Sequence, residues 1–221
     1  TEALLLDIND ETRAWLLFLR GKVLMKTESY DSAKNNFERA IKLYPDYPEC
    51  IASLCYATYA LNNTEEAFKI VSKHIKRYPE SRLFYYCRSK FFMDQNNFEA
   101  AKQDILRTIE MDKKDPEGYY FLALLNFRNK KYFQAVRNFN KALLGIGGRM
   151  DYYIANTDGD RIPTSQVIIK RSKVYEVVGD FELACEDYKK ALELMIDEPF
   201  YLNKEADLKA LEEKINEYCQ N

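Results

Sequence analysis

Tyr30-Asp31-Ser32-Ala33-Lys34-Asn35-Asn36-Phe37-Glu38-Arg39-Ala40-Ile41 places an alanine three positions after an aromatic residue, an apolar residue four further on and a second alanine three beyond that. The spacing returns as Phe98, Ala101, Ile105, Thr108, as Tyr132, Ala135, Phe139, Ala142, and as Phe181, Ala184, Tyr188, Ala191, with a weaker copy in Thr64, Ala67, Val71, His74. The anchors 30, 64, 98 and 132 stand 34 residues apart, and the step from 132 to 181 is 34 plus an insert of 15. A fixed period of this length marks a helical repeat array, in which each unit buries its apolar faces only by stacking on its neighbours. Residues 1–221 are therefore read as a single domain.

Composition agrees. Hydrophobic residues make up 47% and charged residues 31%, with 7 Gly and 6 Pro, the balance of a folded chain with long unbroken helices. The net charge of −2 supplies no global field toward nucleic acid or anionic lipid. No run reaches the roughly 18 apolar residues of a membrane span, and no export signal is visible. The 5 cysteines (Cys50, Cys55, Cys87, Cys185, Cys219) lack CxxC spacing and meet a single His, so neither a disulfide framework nor a zinc site is expected. The expectation is inert thiols in a reducing compartment, cytoplasmic or nuclear. The chain opens with Thr, and Ala3-Leu4-Leu5-Leu6-Asp7 reads as the tail of a helix, as expected for part of a longer protein.

Between Ala14 and Thr27 apolar residues recur at helical spacing, with Gly21 where a second helix could approach closely. Glu28-Ser29 forms a turn, Ser29 or Asp31 offers a cap, and the next helix stops before Pro45. The unit is a helical hairpin.

On that period, Gly21, Tyr30, Ala33, Phe37, Ala40 and Pro45 fall at the eighth, seventeenth, twentieth, twenty-fourth, twenty-seventh and thirty-second positions, and the unit resembles the tetratricopeptide repeat. Copies are expected at 14–47, 48–81, 82–115, 116–149 and 165–198, the second fitting least well because Cys55 and His74 replace small residues. The resemblance implies an all-α fold, a right-handed α-solenoid of antiparallel helix pairs with a C-terminal capping helix. That cap is expected at 203–219, with Asn203 as its N-cap and Leu208, Leu211, Ile215 and Tyr218 on one face.

The insert, about 145–162, opens with Gly145, Gly147 and Gly148, carries turn residues at Asn156–Asp160 and reaches Pro163, a good first helical residue. A short helix is expected over Arg149–Ala155. Asp158 and Asp160 do not complete a calcium loop. The insert is either a binding loop or a tolerated surface loop.

Little here suggests catalysis. His74 falls at an inter-helix packing position, and the glycines precede no Lys-Ser or Lys-Thr of a phosphate loop, so no enzyme activity, cofactor or metal is expected. Binding is the better reading. In proteins that this chain resembles, the first helices of successive repeats line a concave groove, here through Trp15, Phe18, Lys22, Tyr56, Tyr59, Leu83, Tyr86, Lys90, Tyr120, Leu124, Phe127, Arg128 and Lys173. About half of these are expected to pack structurally. The chaperone-binding members hold a C-terminal carboxylate with Lys, Asn and Arg at places occupied here by Phe18 with Lys22, Ser53, and Leu83 with Cys87, so that clamp is unmatched. Lys69, Lys73, Lys76 and Arg77 read as a solvated outer stripe. The expected function is a non-catalytic protein–protein interaction scaffold, part of a larger complex, that grips a partner segment with hydrophobic anchors and some acidic residues. The alternatives are a helical-repeat RNA-binding module, disfavoured by charge, and a non-catalytic subunit of an enzyme complex.

Overall fold

A computed structural model of the protein describes residues 9–146, 153–155, 161–197 and 204–219. Helices alternate with short turns: α1 (Asp10–Lys26), α2 (Tyr30–Leu43), α3 (Pro48–Ala60), α4 (Thr64–Arg77), α5 (Arg82–Asp94), α6 (Phe98–Met111), α7 (Pro116–Arg128) and α8 (Tyr132–Ile146). Two strands, β1 (Tyr153–Ala155) and β2 (Arg161–Pro163), come next, before α9 (Thr164–Val178), α10 (Phe181–Asp197) and α11 (Lys204–Tyr218). The helix pairs fall on the expected repeats, and the architecture is an all-α solenoid interrupted by one small hairpin. None of the described helices is long and apolar enough to cross a membrane.

Each turn inside a pair is built alike. Glu28, Asn62, Asn96 and Lys130 have φ of 56°, 60°, 57° and 56°, and Gly179 has 81°. After each of these left-handed residues the next backbone N–H returns to the helix, as Ser29 N to Leu24 O at 2.9 Å, Asn97 N to Phe92 O at 2.8 Å and Asp180 N to Tyr175 O at 2.9 Å. This is the Schellman closure, which satisfies the last carbonyls of a helix and reverses the chain at once. Asn tolerates that conformation and Gly adopts it without strain, whereas Glu28 and Lys130 accept it against their intrinsic preference.

The start of α1 differs from the expected Ala14. Asn9 caps the helix, its side-chain oxygen accepting from Thr12 N at 2.8 Å, and Asp10 and Glu11 suit the positive end of the helix dipole. Ala3–Asp7, read as a helix tail, lie outside the described residues, as do Asn203 and the turn residues Asn156–Asp160. The helix expected over Arg149–Ala155 is corrected in its described part: Tyr153–Ala155 is a strand, paired antiparallel with Arg161–Pro163 in the register Ile154↔Ile162. The β-branched Ile154 and Ile162 favour a strand, and Pro163 ends β2 in extended backbone as the N-cap of α9 instead of opening that helix.

The described residues form two compact units, one through Asn97 and one from Phe98 onward. In the first, α1 packs on α2, α3 on α4, and the first helices α1, α3 and α5 lie side by side. Small residues permit these contacts: Ala33, Ala40 and Ala67 have no exposed surface, and a Cβ on Gly21 would come within 2.4 Å of the buried Phe37 ring. His74, half-buried, pairs its Nδ1 with Ile70 O at 2.8 Å and lies parallel to the Tyr78 ring, a packing role that matches its place in the repeat.

In the second unit Ala101, Ala135, Ala142, Ala184 and Ala191 are equally enclosed. The Arg171 guanidinium grips the buried Asp187 carboxylate through Nε and Nη2 at 2.8 and 2.6 Å, tying α9 to α10. The cap α11 lays Leu208, Leu211, Ile215 and Tyr218 over Tyr188, Ala191 and Met195. Lys214 Nζ meets Glu176 Oε1 at 3.1 Å, and the Tyr218 ring stacks on Phe181 at 5.1 Å.

The cysteine expectation holds in part. Cys50, Cys55 and Cys87 are buried thiols, and burial first, then Glu49, pushes Cys50 up to about 12. Cys185 and Cys219 are not inert thiols: they form a disulfide that fixes the end of α11 to α10. They are one repeat step of 34 apart, a relation that CxxC counting does not detect. The inference from cysteine usage to a reducing compartment therefore no longer holds.

Three outcomes are expected. Ala135→Leu should cost about 1–3 kcal/mol by overpacking, while Gln134→Leu on the exposed side should cost little, as compared by urea unfolding. Gly179→Ala should cost about 1–2 kcal/mol from backbone conformation alone, since a Cβ there meets nothing within 4 Å. A maleimide at pH 8 should leave Cys50, Cys55 and Cys87 unmodified until denaturant is added, as read by intact mass.

Candidate groove on the first helices

The residues expected to line a groove sort by burial into a floor and a rim. In the first unit Tyr86 is 1% and Tyr56 6% exposed, so both rings belong to the interior. Tyr56 meets Phe91 edge-on at 5.3 Å, and Tyr59 stacks on the same ring at 4.3 Å with an 8° tilt. Lys90 Nζ sits 4.5 Å over the Tyr56 ring, a cation–π contact that leaves a positive charge above an aromatic base. Phe18 is half-buried between Phe37 and Tyr47 at 6.1 and 5.0 Å, and Leu83 packs against the core. Trp15 is different, with half of its surface exposed, and Lys22 is half-buried on the same helix.

The second unit repeats the arrangement on α7 and α9. Tyr120 is buried, edge-on to Phe121 and Phe139, and burial pushes its hydroxyl up to about 12. Leu124 and Phe127 are half-buried, the latter tilted against Tyr132 at 6.0 Å, while Arg128 and Lys173 are exposed. Lys170, absent from the sequence reading, joins them. Its ammonium is held below the usual lysine value by burial first and then by the charges of Lys173 and Arg128. The signal was there, a lysine ending the apolar run Val167-Ile168-Ile169, but it falls outside the positions read as groove-lining. Strand β1 lies against α7 and β2 runs directly into α9, so both strands adjoin helices that carry these cations.

The stripe on α4 stays distinct. Lys69, Ser72, Lys73, Lys76 and Arg77 run along the open outer face of that helix. Arg77 Nη2 is held by Asp46 at 2.7 Å, and the Tyr78 hydroxyl donates to the same carboxylate. Among the described residues no group of three or more His, Cys, Asp or Glu is placed to hold a metal ion.

The tetratricopeptide repeat matches at residues 14–47, 92–149 and 165–194, together more than half of the chain. Human tetratricopeptide repeat protein 13 is 25% identical over 122 residues, which cover 55% of this chain and only 14% of that protein. A thermophilic tetratricopeptide-repeat protein of Thermus thermophilus is similar in structure with a TM-score of 0.68 at 18% identity, covering 90% of this chain and 98% of that one. Yeast Tom70 gives 0.70 at 18% identity, covering 98% of this chain and 42% of its own. These structural likenesses carry the fold alone. With the 34-residue step, the helix pairs and the small residues between them, the repeat matches show that this chain belongs to the tetratricopeptide-repeat family.

Proposed function

We propose that the protein is a non-catalytic interaction scaffold whose first helices bind a segment of a partner protein within a larger complex, in keeping with the protein-interaction role of its fold. The observation that carries this is the cation group Arg128, Lys170 and Lys173 on α7 and α9. Burial and the charges of Lys173 and Arg128 lower the proton affinity of Lys170, and an incoming carboxylate offsets that repulsion and favours the charged form of Lys170. The half-buried Leu124 and Phe127 on α7 offer apolar contact for a neighbouring anchor, and Trp15 with Lys22 offers a smaller version in the first unit. Tyr56 and Tyr86 in the first unit, and Tyr120 separately in the second, serve this reading as buried support, with the half-buried and exposed residues of each unit meeting the partner. The partner class is an extended protein segment with aromatic or aliphatic anchors followed by Asp or Glu.

A panel of synthetic peptides of that description, titrated by calorimetry, tests the reading. Arg128→Ala and Lys173→Ala should each weaken the best peptide by about tenfold with unchanged circular dichroism, and Lys73→Ala on α4 should not. The affinity should also fall as pH rises into the alkaline range, where Lys170 gives up its proton below the usual lysine value. Peptide binding indifferent to both substitutions, or labelled RNA binding with a steep salt dependence lost in the same variants, would refute the peptide reading.

A further inference from the structure

The 5 cysteines divide into two chemical groups. Cys50, Cys55 and Cys87 of the first unit have no exposed surface, so a dissolved thiol does not meet them in the folded state. The Cys185–Cys219 disulfide of the second unit can be reached: Cys185 on α10 is 8% exposed, and Cys219, the residue after α11, is half-buried. Thiol–disulfide exchange therefore has one address in this chain, and re-oxidation meets no exposed third thiol with which to mispair.

That address lies where α11 is held least. The 15 residues of this helix are marginal as a helix in water, and among those described only Leu211, 4% exposed, is buried. Leu211, with Leu208 beside it, anchors the front half in the core of the second unit. The back half is held by the half-buried Ile215 and by contacts at the surface. Lys214 Nζ meets Glu176 Oε1 of α9 at 3.1 Å with its side chain 38% exposed, and Tyr218 stacks on Phe181, which is still 47% exposed. Cys219 N closes the last turn on Ile215 O at 2.8 Å, and its sulfur is the covalent tie to α10 at that end. A partly exposed ion pair and a solvent-facing ring stack are modest holds, so the disulfide decides whether the back half stays down.

We propose that the Cys185–Cys219 disulfide is a redox latch: a dithiol reductant opens it and releases the end of α11, while the Leu208 and Leu211 anchor and the rest of the second unit stay folded. The reductant's thiolate attacks Cys219 Sγ, the more exposed sulfur, and Cys185 leaves as a thiolate that takes up a proton. The reductant's second thiol then attacks the mixed disulfide, closes its own S–S bond and releases Cys219 as the second thiol. Two electrons and two protons thus pass to the protein. Release parts Tyr218 from Phe181 and Lys214 from Glu176, which bares a ring on α10 and a carboxylate on α9. The latch does not depend on the groove reading.

Dithiothreitol is the probe, added to the 221-residue protein without denaturant. In one aliquot, maleimide and intact mass should then show two labelled sulfurs, Cys185 and Cys219. In another, left unlabelled, backbone amides at 213–219 should exchange hydrogen about tenfold or more faster than in the oxidised protein, with those of α9 and of 181–195 unchanged. Cys219→Ser should show the fast exchange with or without dithiothreitol, and re-oxidation of the wild-type chain should restore the slow one. Unchanged exchange at 213–219 in the reduced protein would overturn the proposal, because α11 would then not need the bond. Faster exchange throughout α9 and α10 on reduction would overturn it as well, by making the bond a staple of the whole unit. So would a disulfide that resists dithiothreitol until denaturant is added.

Discussion

The contact on which the structure depends is the close approach of two helices through a residue with almost no side chain. Ala33, Ala67, Ala101, Ala135 and Ala184 recur at one position of the repeat and have no exposed surface. Gly21 goes further, because even a methyl group there would run into Phe37. Close approach of this kind sets the depth at which the larger residues Phe37, Val71, Ile105, Phe139 and Tyr188 become buried, and all five are at or near zero exposure. Interiors packed at crystal-like density transmit such spacing to the next layer. Within each unit a fixed separation in the pair thus sets where its first helices lie, and their exposed residues inherit their positions from alanines buried between helices.

A second constraint sits in the turns. The left-handed residue at 28, 62, 96, 130 and 179 closes each first helix and opens the second with two or three residues of connection. A longer loop would leave helix ends unpaired and let the pair slide. Only Gly179 is a glycine, so conformational preference does not dictate the turn by itself. Packing on both sides holds Glu28 and Lys130 in a conformation that they would not choose in a free peptide.

Much of this was legible in the residues. The helix pairs fall on the period because the aromatic–alanine spacing is local, and a local pattern survives without knowledge of what lies across the core. What the pattern missed has a common physical origin in interactions between residues far apart or out of phase. The Cys185–Cys219 link joins two helices that never share a sequence window, and the strand at Tyr153–Ala155 depends on a partner at Arg161–Pro163. The site was less legible than the fold. Tyr56, Tyr86 and Tyr120 look like binding aromatics in a list of positions, yet each ring fills the interior, whereas Lys170 falls outside the groove positions of the repeat and yet feels the charges of Lys173 and Arg128.

The place of α11 follows from the one-dimensional physics of repeats. Each pair contacts only its neighbours, so an end pair carries a face that its own sequence cannot cover. At the far edge α11 supplies that cover with Leu208, Leu211, Ile215 and Tyr218, and three independent links hold it: the apolar contact, the Lys214–Glu176 ion pair and the disulfide. The Lys214 pair is partly exposed and contributes little by itself. The disulfide closes a 34-residue loop and, in the chain-entropy account, stabilises the folded state by about 2–4 kcal/mol, which adds to the apolar contact.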